Sequence, residues 1–333
     1  MDPLSDFLAQ PRARDAFLLR VIMGRPWRLS VADEAPLSIV PILKGRAWYS
    51  ADRAPAIQLT AGDVIVVRAP TSYVLSSAPD AAGGALIGMG QACSGPDGRD
   101  LSAPLTNGVR AWGNTVNGDD EMLVGSYRSD SEMGRLMLQA LPPSFVVHDP
   151  APQMVHLLAQ EISRDDWGQN SVLDRLLDVL LVATLRAWLN TRDGQSANLL
   201  AAPRDGAVRA VTEAIHAHPE AEWSVDTLAE RAGISRAALS RRFASVVGVS
   251  PMQYLTRWRL AIGADLLDRT DSTIAAIAHQ VGYGSPFSFS AAFKRRYGLS
   301  PQVFRQRPQA QLANKAVLAA HDRGRQGPGT SST

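Results

Sequence analysis

Cysteine occurs once in the 333 residues, at Cys93, and no histidine precedes His148. One thiol excludes an internal disulfide framework and any multi-cysteine metal site. Without histidines, the first part of the chain cannot build the imidazole and carboxylate cluster that a metal-dependent barrel enzyme carries on facing strands. We therefore expect no metal, no cofactor and no catalytic residues. Long uncharged apolar runs are missing too. The most apolar stretch, 173–189, is broken by Asp174, Arg175, Asp178 and Arg186, which excludes a membrane span there. The opening MDPLSDFLAQ has acidic residues where a secretory leader carries positive charge. A cytoplasmic protein is the expectation.

The length suits two or three domains, and 45% hydrophobic residues is ample for ordinary cores. A net charge of +2 hides an uneven distribution. Residues 1–207 hold 18 Lys and Arg against 23 Asp and Glu, 208–307 hold 13 against 8, and the tail holds 3 against 1. A basic segment at 208–307 suits contact with phosphate, although a solvated basic surface gives the same count.

Phe7, Leu8, Phe17, Leu18 and Val21 recur at helical spacing and predict a short N-terminal helix. From Trp27 the texture changes to short apolar runs punctuated by Gly, Pro and Asp. Strands are predicted over 37–43, 47–50, 57–59, 63–68, 73–76, 85–89, 111–115 and 122–126, a pattern of small barrels and sandwiches. After Pro150 the pattern is helical. Pro152 sits in the first turn of a helix reaching Ser163, and Ser171 is the expected N-cap of a second helix ending at Leu189. Residues 190–204 read as a linker. Beyond Pro308 the chain is rich in Gly, Gln, Ala and Ser, and order is not expected.

The most specific signal is a repeat. Ser224, Val225, Leu228, Ala229 and Gly233 match Thr273, Ile274, Ile277, Ala278 and Gly282 at an offset of 49. One residue is then gained in the turn. At an offset of 50, Ser235, Ser240, Phe243, Gly248, Ser250 and Pro251 meet identical residues at Ser285, Ser290, Phe293, Gly298, Ser300 and Pro301. Each copy reads as helix-turn-helix, with a hydroxyl N-cap, an alanine where the helices approach and a glycine at the sharp turn. One copy would fit any two-helix corner; two copies joined by a helix over 251–269 point to DNA. A helix of that length spans roughly 27 Å, against about 34 Å between successive major-groove faces.

In the first copy Leu239, Phe243 and Val246 form a buried stripe, which leaves Arg236, Ala237, Ser240, Arg241 and Ala244 opposite. The same register in the second copy presents Pro286, Phe287, Ser290, Ala291 and Lys294. We expect Arg236, Ala237, Ser240, Arg241, Phe287, Ser290 and Ala291 to meet bases. Arg241 suits a bidentate contact to guanine, and Phe287 a thymine methyl. Arg242, Lys294, Arg295 and Arg296 are expected to hold phosphate.

The stretches GISRAALSRRFASVVGVSPMQYLTRWRLAIGADLL and IAAIAHQVGYGSPFSFSAAFKRRYGLSPQVFR resemble the DNA-binding domain of the AraC/XylS transcription regulators. PWRLSV, GRAWYS and LTAGDVIVVRAPTSYVL resemble the cupin-type sensor of the same family. Where such sensors commonly carry histidine, this chain has Ser38 and Tyr73. The resemblance implies an α+β multidomain fold: a β-rich cupin-like barrel over 1–150, a helical connector over 151–204, a double helix-turn-helix domain over 205–308 and a tail over 309–333. It also implies promoter DNA, RNA polymerase, a small-molecule effector and a homodimer as partners.

Trp27, Ser38, Arg46, Trp48, Arg68 and Tyr73 are the candidates for an effector cup, although alternating apolar residues usually just fill a barrel. Cys93 reads as a plain loop or buried thiol rather than a redox sensor. His156, His216, His218 and His279 are expected in solvated or capping roles. Leu173, Leu177, Leu180 and Ala187 have near-heptad spacing, which fits a dimer seam or packing on the chain's own barrel equally well. Two rival readings stand beside the regulator: a cupin enzyme tethered to DNA, and an architectural binder without sequence preference.

Overall fold

Alternation with a period of two sends Val40 and Ile42 to one face of a strand and Leu37 and Ile39 to the other, and all four are buried. A strand covered on both faces implies a sheet sandwiched between two layers. The computed structural model has that arrangement; it describes residues 17–51, 55–101, 105–108, 110–127, 132–138, 141–164, 166–191 and 205–306. The expected linker at 190–204, the tail and the first sixteen residues therefore lie largely or wholly outside the described residues.

The strands are β1 (Phe17–Met23), β2 (Arg28–Val31), β3 (Leu37–Lys44), β4 (Arg46–Ala51), β5 (Ile57–Thr60), β6 (Val64–Arg68), β7 (Tyr73–Ser76), β8 (Ala85–Ile87), β9 (Cys93–Ser94), β10 (Thr106–Gly108), β11 (Ala111–Trp112), β12 (Asp120–Tyr127) and β13 (Ser144–Val147). They form a seven-stranded sheet in the order β10-β11-β1-β12-β3-β6-β13 and a six-stranded sheet in the order β5-β4-β7-β2-β8-β9. The two sheets enclose a core that includes Val21, Trp27, Leu29, Val40, Tyr49, Ile65, Tyr73 and Leu75. The outer face of the larger sheet, with Leu37, Ile39, Val64, Val66 and Leu123, belongs to a second core shared with helices.

Among the described residues, three α-helices accompany the sheets: α1 (Glu132–Leu138), α2 (Pro152–Glu161) and α3 (Gln169–Leu189). The leucine ladder of α3 packs onto its own barrel. Leu173, Leu177 and Leu180 are buried in the core that holds Leu37 and Ile39. Gly125 on β12 permits the approach, because a Cβ there would stand 2.8 Å from the Leu177 Cδ1. The Tyr127 hydroxyl then donates to the Leu177 carbonyl at 2.8 Å. Of the two readings of the ladder, intramolecular packing is the one realised.

Several expectations need correction. The N-terminal helix is absent at 17–23, where β1 pairs with β12 residue by residue; its run of apolar residues is a strand buried on both faces, which periodicity alone does not distinguish from helix. Strands β2, β9, β10 and β13 and helix α1 were not expected. Helix α3 begins at Gln169 rather than after Ser171, following Gly168 at φ 78 with no side-chain cap. The Gln169 side chain instead donates to the Glu161 carbonyl at 2.9 Å, tying α3 back to α2. Cys93 is a buried thiol within β9, and burial raises its pKa to about 11.

One carboxylate closes the base of the sandwich. Asp120, 1% exposed, accepts from Arg25 Nε at 2.8 Å, Arg25 Nη2 at 2.6 Å, the Trp27 indole at 2.8 Å and the Arg46 backbone amide at 3.0 Å. Burial pushes this carboxyl up, but the three donor residues and the Arg25 charge outweigh it and hold the pKa below the ordinary value. Asp120 thereby joins the β1–β2 corner, the β3–β4 turn and the start of β12.

Helices α4 (Gly206–Ala217), α5 (Val225–Arg231), α6 (Arg236–Val247), α7 (Pro251–Arg269), α8 (Ile274–Gln280), α9 (Pro286–Tyr297) and α10 (Pro301–Gln306) complete the described chain. The expected caps are in place. Ser224, Ser235, Thr273 and Ser285 each accept from a backbone amide in the first turn of α5, α6, α8 and α9. His216 departs from its expected solvated or capping role: its ring stacks on Trp258 with centroids 3.7 Å apart, its Nε2 lies 2.6 Å from the Tyr254 hydroxyl, and burial lowers its pKa to about 4.

Replacing Asp120 with alanine leaves the Arg25 guanidinium and the Trp27 indole without their acceptor and is expected to cost about 2–3 kcal/mol in denaturant unfolding. A pKa depressed by folding contributes stability above the unfolded carboxylate value of about 3.9 and loses it as the pH falls through the folded value. The stability difference between parent and Asp120→Ala should therefore shrink below about pH 4, as unfolding curves at pH 7 and pH 3 will measure.

Candidate nucleic-acid interface

Helices α6 and α9 present the two expected reading faces. On α6, Arg236, Ala237, Arg241 and Ala244 are exposed and Ser240 is half-buried, while Leu239 and Phe243 are fully buried beneath. On α9, Phe287 is 85% exposed; Ala291, Lys294, Arg295 and Arg296 are exposed and Ser290 is half-buried. An aromatic ring standing in water is unusual on a helix whose next aromatics, Phe289 and Phe293, are completely buried.

The basic residues are not equivalent. Arg236 donates to Asp226 at 3.2 Å, an ion pair with both side chains largely exposed, so it is weak and readily exchanged. Arg242 is engaged on the opposite task. Its guanidinium donates to Asp205, the residue that caps α4 by accepting from Ala207 and Val208. It therefore braces the scaffold rather than standing free beside Arg241. Arg296 lies over the Tyr297 ring, 5.6 Å from its centroid, which directs part of its charge toward the end of α9.

Helix α7 spaces the two motifs. Its 19 residues rise about 28 Å at ~1.5 Å each. Arg259 on this helix donates from Nε to the Pro219 carbonyl at 2.6 Å and from Nη2 to the Ala221 carbonyl at 2.7 Å, gripping the loop before α5. Gly282, in the turn of the second motif, covers the same place. At φ 81, a Cβ there would lie 2.7 Å from both Arg259 Nη2 and the Glu220 carbonyl. The two halves thus meet around one guanidinium. Gly263 makes the complementary fit, since a Cβ on it would come within 2.8 Å of the Phe289 ring. Neither Arg259 nor Gly263 was singled out from the sequence. Both lie outside the repeated positions.

The proposed cup residues divide by strand parity. Ser38 and Tyr73 point between the sheets, with Ser126 Oγ 3.4 Å from Ser38 Oγ and the Tyr49 ring 6.0 Å from that of Tyr73. Burial raises the Tyr73 pKa strongly, and Ser38 hydrogen-bonds its hydroxyl. Trp27 is buried too, but its indole is committed to Asp120. Arg46, Trp48 and Arg68 do not line the interior. Ala47 and Tyr49 take the inward positions of β4, which sends Arg46 and Trp48 outward. Ile65 and Val67 take those of β6, so Arg68 lies on the outer face and donates to the Leu141 and Ala69 carbonyls.

Residues 2–190 match the family model described as Cupin, and residues 228–307 the one described as Helix-turn-helix domain. An AraC-like transcription regulator of Streptomyces lividans is 30% identical over 318 residues, covering 92% of this chain and 99% of that one. The chain belongs to the AraC-like transcription regulators. A second such regulator, of Streptomyces antibioticus, is 31% identical over 320 residues with the same coverage. The helix-turn-helix regulator AlkR of Acinetobacter baylyi is 28% identical over 316 residues. The protein is therefore a DNA-binding transcription regulator with a cupin N-terminal domain, and not an enzyme. No helix among the described residues is long and apolar enough to cross a membrane.

The two turn glycines separate conformational cost from packing cost. Both have positive φ, but nothing lies within 4 Å of a Cβ on Gly233. Gly233→Ala is expected to lose about 1 kcal/mol from the left-handed backbone alone. Gly282→Ala adds the clash with Arg259 and Glu220 and should lose about 3 kcal/mol. Thermal unfolding of the two variants measures the difference.

Proposed function

We propose that this regulator acts in the cytoplasm as a homodimer on promoter DNA, with α6 and α9 of each chain in successive major-groove faces. The observation that carries the reading is the pair of exposed, chemically unequal faces on one shared spacer. Arg241 and Arg236 offer long donors suited to guanine and to its neighbours. Phe287, Ser290 and Ala291 offer apolar surface and one hydroxyl, suited to thymine methyls and to DNA shape. Lys294, Arg295 and Arg296 at the end of α9 hold phosphate and set register. The first motif then carries most of the sequence demand. Arg242 acts through Asp205 and α4 rather than on phosphate directly.

The effector binds between the sheets near Ser38, Tyr49, Tyr73 and Ser126, where hydroxyl groups are gathered inside an otherwise apolar core. Ligand control requires that the effector favour one arrangement of the reading helices over another. Activation through RNA polymerase follows from the family resemblance. For the dimer, support comes from the outward side of the connector: Leu157, Val172 and Val179 are exposed on α2 and α3, whose inner leucines are already used.

Footprinting on DNA upstream of the regulator's own and neighbouring genes tests the main reading, with and without candidate metabolites. Paired protected repeats are expected; equal protection of random sequence overturns it. Within a protected site, Arg241→Ala should erase discrimination worth about 1–3 kcal/mol at one base pair, while Phe287→Ala should lower preference for thymine at another position. Equal sequence demand at both half-sites would sink the asymmetry. Val179→Glu should move the chain from dimer to monomer in sedimentation without changing its melting temperature; an unchanged dimer removes α3 from the seam.

A further inference from the structure

Helix α1 belongs to the cupin domain by connection, but its most extensive packing is against the DNA-binding domain. It lies between β12, which ends at Tyr127, and β13, which begins at Ser144, yet it packs against α7 of the DNA-binding domain. Met133 and Leu138 are buried in one continuous cluster with Leu255, Trp258 and Ala261, with Leu136 and Ile262 at its edge. The first turn of α1 is completed from the other domain as well. The Glu132 amide donates to Asp265 Oδ1 at 2.6 Å and the Met133 amide to Asp265 Oδ2 at 3.2 Å. Amides in the first turn of a helix have no intrahelical acceptor, and a carboxylate there gains two charge-assisted hydrogen bonds and the favourable end of the helix dipole.

The other end of the segment is held by the barrel. Arg68 Nε donates to the Leu141 carbonyl at 2.7 Å, and the Arg68 amide donates to the Pro143 carbonyl at 3.0 Å. Helix α1 therefore packs on the spacer, while the nearest described residues on either side, Tyr127 and Leu141, are held by the seven-stranded sheet.

The geometry points to Asp265 as the positioning residue of an inter-domain joint: by capping α1, it fixes the cupin domain to the helix that spaces the two reading helices. The joint leaves Arg241 and Phe287 uncovered, so it sets domain placement rather than masking the reading faces. It also gives the barrel a route to the spacer. Ser126 of the interior hydroxyl cluster and Tyr127 end the strand that precedes α1 in the chain. The inference extends the regulatory reading, but its test uses no DNA and no effector, so the two stand or fall separately.

The experiment compares the full-length chain with Asp265→Ala, Glu132→Pro and Glu132→Ala. Proline is well tolerated at the first position of a helix, so Glu132→Pro deletes one donated hydrogen bond while keeping α1. Glu132→Ala removes the side chain and keeps the amide. Spin labels introduced at Gln58→Cys on β5 and Arg257→Cys on α7 report the inter-domain distance by pulsed electron resonance, and hydrogen exchange reports the Met133 amide. A narrow distance distribution is expected in the parent and Glu132→Ala, and a broad one in Asp265→Ala and Glu132→Pro. Exchange at Met133 should rise about tenfold or more in Asp265→Ala. A distribution as narrow as the parent's in both joint variants overturns the inference, whatever the exchange shows. If Asp265→Ala fails to fold, Glu132→Pro decides alone.

Discussion

Helix α7 gives one side to each half of the DNA-binding domain. Tyr254, Leu255 and Trp258 are buried with the first motif, and Leu260, Ala264 and Leu267 with the second. Each residue turns the helix by about 100° and advances it about 1.5 Å, so the angle and spacing of the two motifs follow from how many residues separate those stripes. Arg259 adds a second constraint, because it holds carbonyls of the first half while sitting beneath Gly282 of the second. Neither motif can turn without breaking contacts in the other. A fixed spacer is what the proposed action of two short helices on one duplex requires.

On that scaffold the two exposed faces have diverged. The buried sets of α6 and α9 share two positions, Leu239 with Phe289 and Phe243 with Phe293, all fully covered. Their outer sets share Ser240 and Ser290 but otherwise set Arg236, Ala237 and Arg241 against Pro286, Phe287 and Ala291. Packing punishes change on the inside within a methylene, whereas an exposed side chain is free to vary. The same logic explains why Arg242 reads as one more basic residue along the chain yet belongs to Asp205: a guanidinium near a helix-capping carboxylate finds it before it finds solvent.

How much of this was legible depended on the range of the interactions. The caps of α5, α6, α8 and α9 are local, each linking a hydroxyl to an amide three residues on, and they read directly from Ser224, Ser235, Thr273 and Ser285. The repeat made the exposed faces of α6 and α9 visible as well. Parity was harder. Arg68 and Trp48 lie on strands that were expected, but which side of a strand faces the interior depends on the partner sheet, which no local pattern encodes. The run around Phe17–Met23 is covered on both faces and so has no alternation to betray it. Asp265 was invisible because its partners lie more than 130 residues away. The α3 leucines had the right spacing for two partners, and only the presence of Gly125 beneath Leu177 distinguishes them.

The carboxylate at the base of the cupin domain has a consequence for where this domain is soft. Asp120 gathers donors from one corner and one turn at one end of β12, and a buried charge satisfied that fully resists any displacement that would strand it. Among the described residues, the far end of the same strand is held without charge. It holds neutral hydroxyls, Ser126 facing Ser38, whose hydrogen bond at 3.4 Å is long and cheap to rearrange. Stiffness is therefore graded along the barrel axis, high where charge closes it and low where α1 departs. Deformation of the barrel, from whatever source, concentrates at the end of β12 that precedes α1.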